Sequence, residues 1–588
     1  MGLKDASVFG NRKSAGLPET SLKYTRWSDA AAKGESWTEY PRPQMVREQW
    51  FNLNGHWDYA IVPKNTGDNP PETYDGLILV PFSPESVLSG VERQLQPDEY
   101  LWYHRCVEVP EPETGHHYLL HFGAVDQCCT VYINGRECCD HVGGYLPFTV
   151  DLKDICGSFE LTVRVSDVSD TSWYSRGKQK LRRGGMYYTA QSGIWQTVWM
   201  EPVPDRYISS VFCEPDIERG SCHVTIRIEG TEEEQIEKDI YPESVHLWSP
   251  EDPYLYPLEI QEGEDRVSCY YAMRKLSIEK ASDGYMRFFL NGKPILQTGV
   301  LDQGYWCDGL YTAPSDEALI HDITTMKDLG FNLIRKHIKI EPDRWYYHCD
   351  RLGMLVWQDM VNGGSTYRDW FVTYLATAMN IRHLSIHDGI FSRFLLSRRS
   401  KEGREQYIRE MEETIKTLRA HPSIICWVPF NEGWGQFDAK KVTDRIREID
   451  STRFVDSASG WFDQKCGDVV SCHHYFFKLH FKPEKKRVLA LSEFGGYTFK
   501  VPGHVFSDEL YGYGGYESAE ALTEAYEKLF ENEVLPAMKK GMSAFVYTQL
   551  SDIENEANGL LTYDREVLKP EAEAVRKYNL MIRNYPDC

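Results

Sequence analysis

The rhythm of hydrophobic and polar positions changes along the chain. Over the first ~200 residues apolar and polar side chains alternate in short runs, the pattern of half-buried strands. The runs lie at 56–62, 102–109, 117–122, 130–133 and 161–165. Asn134-Gly135 follows one run directly. Both residue types tolerate a positive φ, so the pair predicts a two-residue hairpin turn. Many short strands separated by turns predict a β-sandwich over 1–203. A second, smaller β unit is expected over 204–276: 224–228 alternates cleanly, and 256–260 and 267–273 close it. The acidic stretch 232–239 between them predicts a solvated loop.

From about residue 280 strands and helices alternate. Ser315 is placed to cap a helix whose apolar face is Leu319, Ile323, Met326 and Leu329, and Gly330 ends it. A strand at 331–334 follows, then a helix opened by Pro342 and ended by Gly353, and a strand at 354–357. A long helix is expected at 404–420, with strands at 424–428, 453–455, 468–470, 488–491 and 544–547. With 288–290 leading in, eight strands over the last ~310 residues fit a (β/α)8 TIM barrel at 277–588. Periodicity alone leaves a doubly wound sheet open. The barrel runs nearly to Cys588, so no further C-terminal domain is expected.

Composition narrows the function. Lys plus Arg is 65 and Asp plus Glu 88, a net charge of −23. An acidic excess repels phosphate, which argues against nucleic acid and anionic membrane surfaces as partners. The 16 Trp, 36 Tyr and 25 Phe are 13% of the chain. They fit either large β-rich cores or stacking on sugar rings. The 15 cysteines are scattered and show no zinc spacing, and no cofactor motif is present. Residues 1–23 are polar, and no run of about eighteen apolar residues occurs. These features predict a soluble cytoplasmic protein with no cofactor; no single segment shows metal-ligand spacing, and a metal held where His and carboxylates cluster on the barrel rim stays the sharper alternative. Residues 512–516, Gly-Tyr-Gly-Gly-Tyr, lack the Gly-Lys-Ser/Thr of a phosphate loop and read as a mobile rim loop.

In a barrel of this kind reactive groups follow the strands at their C-terminal ends. Those positions hold Asp302, Arg335, Lys336, His337, Asp359, Asn431, Glu432, His473, His474, Tyr475 and Glu493. Two carboxylates on one rim beside aromatics are the equipment of a glycosidase: one protonates the departing oxygen, and the other attacks the anomeric carbon or activates water.

The stretch 421–432, His-Pro-Ser-Ile-Ile-Cys-Trp-Val-Pro-Phe-Asn-Glu, resembles the acid/base signature of glycoside hydrolase family 2, and 492–496, Ser-Glu-Phe-Gly-Gly, resembles its nucleophile segment. Residues 91–109, 141–152 and 192–195 are similar to the family's sugar-binding jelly roll. The stretch 248–256 is similar to a Trp-Ser-Pro-x-x-Pro-x-Leu-Tyr pattern in its immunoglobulin-like domain. Residues 289–294 and 331–335 are similar to its opening barrel strands. The resemblance implies a jelly roll, an immunoglobulin-like β-sandwich and a TIM barrel. It also implies a retaining exo-β-glycosidase acting on a glycoside or oligosaccharide, and it leaves a homo-oligomer open. By the same resemblance Glu432 is the general acid/base, kept protonated with a raised pKa, and Glu493 the ionised nucleophile. Asn431 then contacts the sugar 2-hydroxyl, Tyr475 orients Glu493, and Arg335 holds it charged. His473 and His474 are candidates for sugar hydroxyls, and Trp434 for a stacking platform.

Two departures bear on the sugar. The family commonly ends its last barrel strand with Trp, and Tyr547 fills that place here. No acid precedes Ser192-Gly193-Ile194, so Asp302 is expected to take over that hydroxyl contact. The Asn-x-Lys pair of β-glucuronidases occurs as Asn11-Arg12-Lys13 and Asn291-Gly292-Lys293, neither at the family's position. A uronate would then need another cation, with Lys336 or Arg183 as candidates. A β-galactoside is the default expectation, with β-glucuronide or β-galacturonide as the alternative. A non-catalytic carbohydrate-binding protein would not need both Glu432 and Glu493.

Overall fold

The computed structural model describes residues 22–585 apart from 156, 231–232, 369, 377–378, 380–383, 476–477 and 483. Asn11-Arg12-Lys13 lies outside the described residues. The N-terminal unit is a sandwich of two antiparallel sheets. One has six strands in the order Gly76–Val80, Gly55–Pro63, Glu99–Val107, Phe159–Ser166, Cys128–Ile133 and Arg136–Val142. The other has four, Phe51–Asn52, Val198–Pro204, His116–Phe122 and Phe148–Asp151. Alternate side chains of both sheets, among them Trp57, Leu101, Leu120, Val131, Val163 and Met200, meet in one core. Asn134 and Gly135 have φ of 51° and 74° and turn the chain between two of these strands.

The second unit pairs Tyr207–Asp216, Ser221–Glu229 and Glu234–Ile240 in one sheet and Tyr256–Glu262 with Asp265–Tyr271 in another. The acidic stretch expected as a loop is, from Glu234 on, an exposed edge strand. Its alternate charged side chains face water while its backbone completes the sheet, a common protection for an edge.

Eight parallel strands form the barrel: β1 Gln297–Asp302, β2 Leu333–Lys336, β3 Leu355–Asp359, β4 Ile424–Val428, β5 Phe454–Val455, β6 Val469–His474, β7 Val488–Gly495 and β8 Met542–Thr548. The ladder runs β5-β4-β3-β2-β1-β8-β7-β6, and the amide of Asp468 closes it on the carbonyl of Val455 at 2.8 Å. Helices follow six strands: α1 Asp316–Asp328, α2 Asp343–Leu352, α3 Lys401–Leu418, α4 Ala439–Ile449, α5 Ala519–Leu529 with its extension α6 Leu535–Met538, and α7 Ala572–Arg583. Among the described residues no helix joins β5 to β6 or β6 to β7. Ser315 caps α1 through the amide of Ala318, and Gly353 ends α2 at φ 71°. No helix is long and apolar enough to cross a membrane.

Residues 288–290 do not form the first barrel strand. They belong to a small antiparallel sheet of Leu276–Lys280, Met286–Leu290 and Lys293–Pro294, whose Phe288 and Leu290 pack on Leu301, Leu333, Leu355 and Trp357 inside the barrel. The sheet plugs the barrel floor. Asn291-Gly292-Lys293 is its turn and lies on the floor, at the opposite end from the strands' C-terminal rim. Residues 513–516, expected as a mobile loop, form a strand beside Tyr497–Phe499.

Arg287 ties the floor to the barrel. It is fully buried and donates to the carbonyls of Met542 (2.5 Å) and Met538 (3.0 Å) and to Asp283 (2.6 Å). Removing one partner of a buried charge network leaves the rest unsatisfied. Arg287→Met is expected to cost about 2–4 kcal/mol and to lower the barrel's thermal unfolding midpoint by several degrees. Calorimetry checks this.

Candidate active site

Alternation along each strand sorts the rim residues into an inward and an outward set. On β2, Leu333 and Arg335 face the barrel interior, while Ile334 and Lys336 face the helices. Arg335 is fully buried, and its five bonds use every nitrogen of the guanidinium. Nε and Nη2 grip Asp359 at 3.0 Å each. Nη1 donates to Glu493 Oε1 and the Ser492 carbonyl, both at 3.1 Å. Nη2 also donates to Asn431 Oδ1 at 2.8 Å. The Asn431 amide is thereby oriented, with its NH2 turned away from Arg335 and available to a ligand.

Glu493 stands near the end of β7 with 4% of its surface exposed. The Tyr475 hydroxyl donates to its Oε2 at 2.5 Å and lies 3.1 Å from Thr548 Oγ1. The Tyr475 ring stacks on Tyr513, with centroids 4.5 Å apart. Burial alone would raise the Glu493 pKa, but His473 beside it and the charges of Arg335 and Lys178 outweigh burial and hold the carboxyl well below the usual carboxylate range. Burial and the neighbouring Glu493 charge push the Tyr475 phenol well up, so it remains a donor.

Glu432 follows β4 at φ 50° and precedes Gly433 at φ 74°, a left-handed turn that carries the chain away from the strand. Its Oε1 lies 2.8 Å from His473 Nδ1, and that nitrogen lies 3.6 Å from Glu493 Oε2. Gly460 permits this approach, because a Cβ there would sit 2.6 Å from His473 Nδ1. One carboxylate oxygen of Glu432, one of Glu493 and one nitrogen of His473 all lie within 4.8 Å of one another. Three such ligand atoms could hold a metal ion, but the fixed charge of Arg335 on Glu493 opposes a cation there.

The hydrogen bonds around His473 have a direction. Ser492 Oγ donates to the Cys472 carbonyl at 3.4 Å, and Ser459 Oγ donates to Ser492 Oγ at 3.0 Å. Ser459 therefore accepts from His473 Nε2 at 3.1 Å. The contact at Nδ1 is then either an acid Glu432 donating to a neutral imidazole or an imidazolium donating to a carboxylate. In both cases the pair holds one proton between its two members.

His337 presents a second imidazole. Its Nδ1 contacts Asp359 Oδ2 at 2.8 Å, and burial lowers its pKa well below the usual value. The neutral ring donates from Nδ1, so the buried Nε2, which has no partner among the described residues, is an acceptor.

Four expected sugar contacts lie elsewhere. Asp302 points out of the barrel, bonded to Lys336 at 2.5 Å and to the Gly304 amide at 2.8 Å. His474 is the outward neighbour of His473 and pairs with Glu533 at 2.9 Å. Tyr547 packs on Phe494 and on Tyr526 of α5, and Thr548 takes the inward position at the end of β8. Trp434 is 2% exposed and stacked on Tyr187, so it anchors the wall of the site and offers no open platform. The structure thus brings together Glu432, Glu493, Arg335, Asn431, His473 and Tyr475. It adds Asp359 and His337, which the sequence placed at strand ends. It also adds Thr548 and Tyr513, and Lys178 from the N-terminal sandwich, for which the sequence held no signal.

Two family models match the chain: the TIM barrel domain of glycosyl hydrolases family 2 over 283–493 and its sugar binding domain over 90–201. Together they span more than half of the chain, and the protein belongs to glycosyl hydrolases family 2. A putative beta-glucuronidase from Formosa agariphila is 24% identical over 388 residues, 57% of this chain and 44% of that protein. A beta-galactosidase from Thermoanaerobacter pseudethanolicus is 23% identical over 505 residues, 77% and 62% of the two. The chain thus matches about half the length of these curated relatives. A GH2 beta-galacturonidase from Eisenbergiella tayi, solved bound to galacturonate, superposes with a TM-score of 0.69 at 18% identity, covering 94% of this chain and 99% of that one. Beta-glucuronidase recurs among the names of similar proteins more often than beta-galactosidase.

The geometry sets the pH response. A carboxylate with a lowered pKa stays charged until the pH falls through that lowered value. The acid limb of kcat/KM governed by Glu493 is therefore expected below pH ~4. Tyr475→Phe removes a donor to the charged form, so the limb should move up and kcat/KM should fall about 10- to 100-fold. A pH–rate profile of both proteins on an aryl glycoside checks this.

Proposed function

We propose that this member of glycosyl hydrolases family 2 is a retaining exo-β-glycosidase, with 1–203, 204–276 and 277–588 as its jelly-roll, immunoglobulin-like and catalytic domains. The observation that carries the reading is the pair Glu432 and Glu493, with carboxylate oxygens within 4.8 Å of each other. Retaining enzymes keep their carboxyls about 5–5.5 Å apart, while inverting ones open to about 6.5–9.5 Å to admit a water.

Glu493, held charged by Arg335 and aligned by Tyr475, attacks the anomeric carbon. The departing oxygen takes the proton shared by Glu432 and His473. A covalent glycosyl-enzyme forms, and Glu432 then accepts a proton from the water that releases the sugar with its configuration retained. Asn431 donates to the sugar 2-hydroxyl, a bond that strengthens in the transition state. The names of the relatives favour a β-glucuronide or β-galacturonide over the β-galactoside expected from resemblance alone.

The two carboxylates are separable by leaving group. A general acid matters in proportion to the basicity of the oxygen it protonates. Glu432→Gln is expected to lose about 10²–10⁴-fold on a methyl or alkyl glycoside and far less on a dinitrophenyl glycoside. Glu493→Gln should abolish turnover of both. Initial-rate assays, with NMR of the first-formed anomer, decide it. An α-anomer as the first product of a β-glycoside would refute retention.

A further inference from the structure

We propose that Lys178, carried over the barrel mouth by the N-terminal sandwich, binds the carboxylate of a uronic-acid sugar and so makes β-uronides the substrate class of this site. This rests on the retaining-glycosidase reading above and adds the sugar to it.

A buried sugar carboxylate requires a cation with a free N–H. Most cations around the pair are already committed. Arg335 uses all its nitrogens on Asp359, Glu493, Asn431 and the Ser492 carbonyl. Lys336 faces the helices, fully buried between Asp302 and Glu341, and Lys339 is held by Glu341 and two carbonyls. Arg183 is paired through Nη1 with Glu554 and Asn555. Both candidates read from sequence, Lys336 and Arg183, thus already hold a carboxylate of the protein.

Lys178 differs on each count. It is partly exposed, and among the described residues it has no carboxylate partner. Its Nζ stands 5.4 Å from the ring centroid of Trp434, two residues after Glu432. Its place is fixed by backbone. The amides of Arg176 and Gly177 both donate to the Asn362 carbonyl, at 3.1 and 3.0 Å, and the Asn362 side chain in turn bonds the Trp434 carbonyl. Gly177, at φ 65°, passes so close to the end of β2 that a Cβ would sit 3.2 Å from the Ile338 carbonyl. Lys178 thus stands over the segment that carries Arg335 and His337, and its charge is felt at both Glu493 and His337. A lysine anchored through the backbone beside it, in no ion pair among the described residues, and close enough for its charge to act on Glu493, is matched by an anionic group on the sugar. His337 Nε2, an acceptor, suits a hydroxyl of the same ring.

The test compares p-nitrophenyl β-D-glucuronide and β-D-galacturonide with the matching neutral glucoside and galactoside, using wild type, Lys178→Gln and Lys178→Arg. Wild type should prefer a uronide. The ratio of uronide to neutral kcat/KM should fall roughly 10- to 100-fold in Lys178→Gln, and Lys178→Arg should keep most of it. Reading the ratio removes any general loss that follows from weakening the field at Glu493. Preference of wild type for a neutral sugar, or an unchanged ratio in Lys178→Gln, would overturn the proposal while leaving the glycosidase reading intact. Full activity of Glu493→Gln would sink the glycosidase reading instead. Calorimetry of free glucuronate and galacturonate then judges Lys178 independently: wild type should bind one of them at least ~10-fold more tightly than Lys178→Gln, and equal binding overturns the proposal.

Discussion

Arg335 is the interaction on which the site depends. One guanidinium joins β2 to Asp359 on β3, to Asn431 beyond β4 and to Glu493 on β7. Burying a full charge is costly, and such a group persists only when every donor is matched. Here the match is complete, and each acceptor gains a fixed orientation. Glu493 is kept anionic, the amide of Asn431 is turned outward, and Asp359 remains free on one side to hold His337. A lysine could not form this fork, because its donors radiate from a single point.

The barrel does not make the site alone. Its core is continuous with residues of the N-terminal unit, among them Trp37, Phe82, Tyr145 and Trp195. Away from the mouth, Arg47 joins Glu201 of the first sandwich to Asp265 of the second unit at 2.6 and 2.8 Å. Burial opposes the charge on Glu201, but Arg42, His121 and Arg47 keep its pKa well below the usual range. These joints fix the first sandwich against the barrel. Such fixing holds the loop that carries Lys178 in place beside Trp434.

Much of this was legible in the sequence, and the misses share a cause. Strand ends and caps follow from local signals such as Ser315, Gly330 and Gly353, so seven barrel strands and the first three helices between them were readable, while Ala439–Ile449, Ala519–Leu529 and Ala572–Arg583 were not read. A strand end, however, presents neighbours to opposite sides. Asp302, His474 and Tyr547 each stand one position from the barrel-facing residues Leu301, His473 and Thr548, and each went to the helix layer. The period-2 pattern could have separated them, since Leu301 and Val546 share the interior face with their strands' inward set. The floor hairpin was mistaken for a first strand because its inward Phe288 and Leu290 alternate as a barrel strand does. Lys178 carried no comparable signal. Its role depends on how two domains dock, and no local periodicity encodes that.

The chain Glu432–His473–Ser459–Ser492–Cys472 carries a further consequence for catalysis. Each hydroxyl has one proton, and the last acceptor is a backbone carbonyl, so direction propagates back to His473 Nε2 without ambiguity. The one proton left at the Nδ1 contact belongs to the pair rather than to either group. In the mechanism proposed above, a proton is therefore in place for the departing oxygen whichever member holds it before the substrate arrives. In that mechanism the pair is one proton short after transfer, and the deficit is the base the second half-reaction needs. The His473 imidazole gives Glu432 a partner that can donate or accept within one hydrogen bond, while Arg335 and Tyr475 keep Glu493 charged. The two carboxylates are thus set apart by what touches them: one is bound to fixed donors and the other to a group that can give or accept.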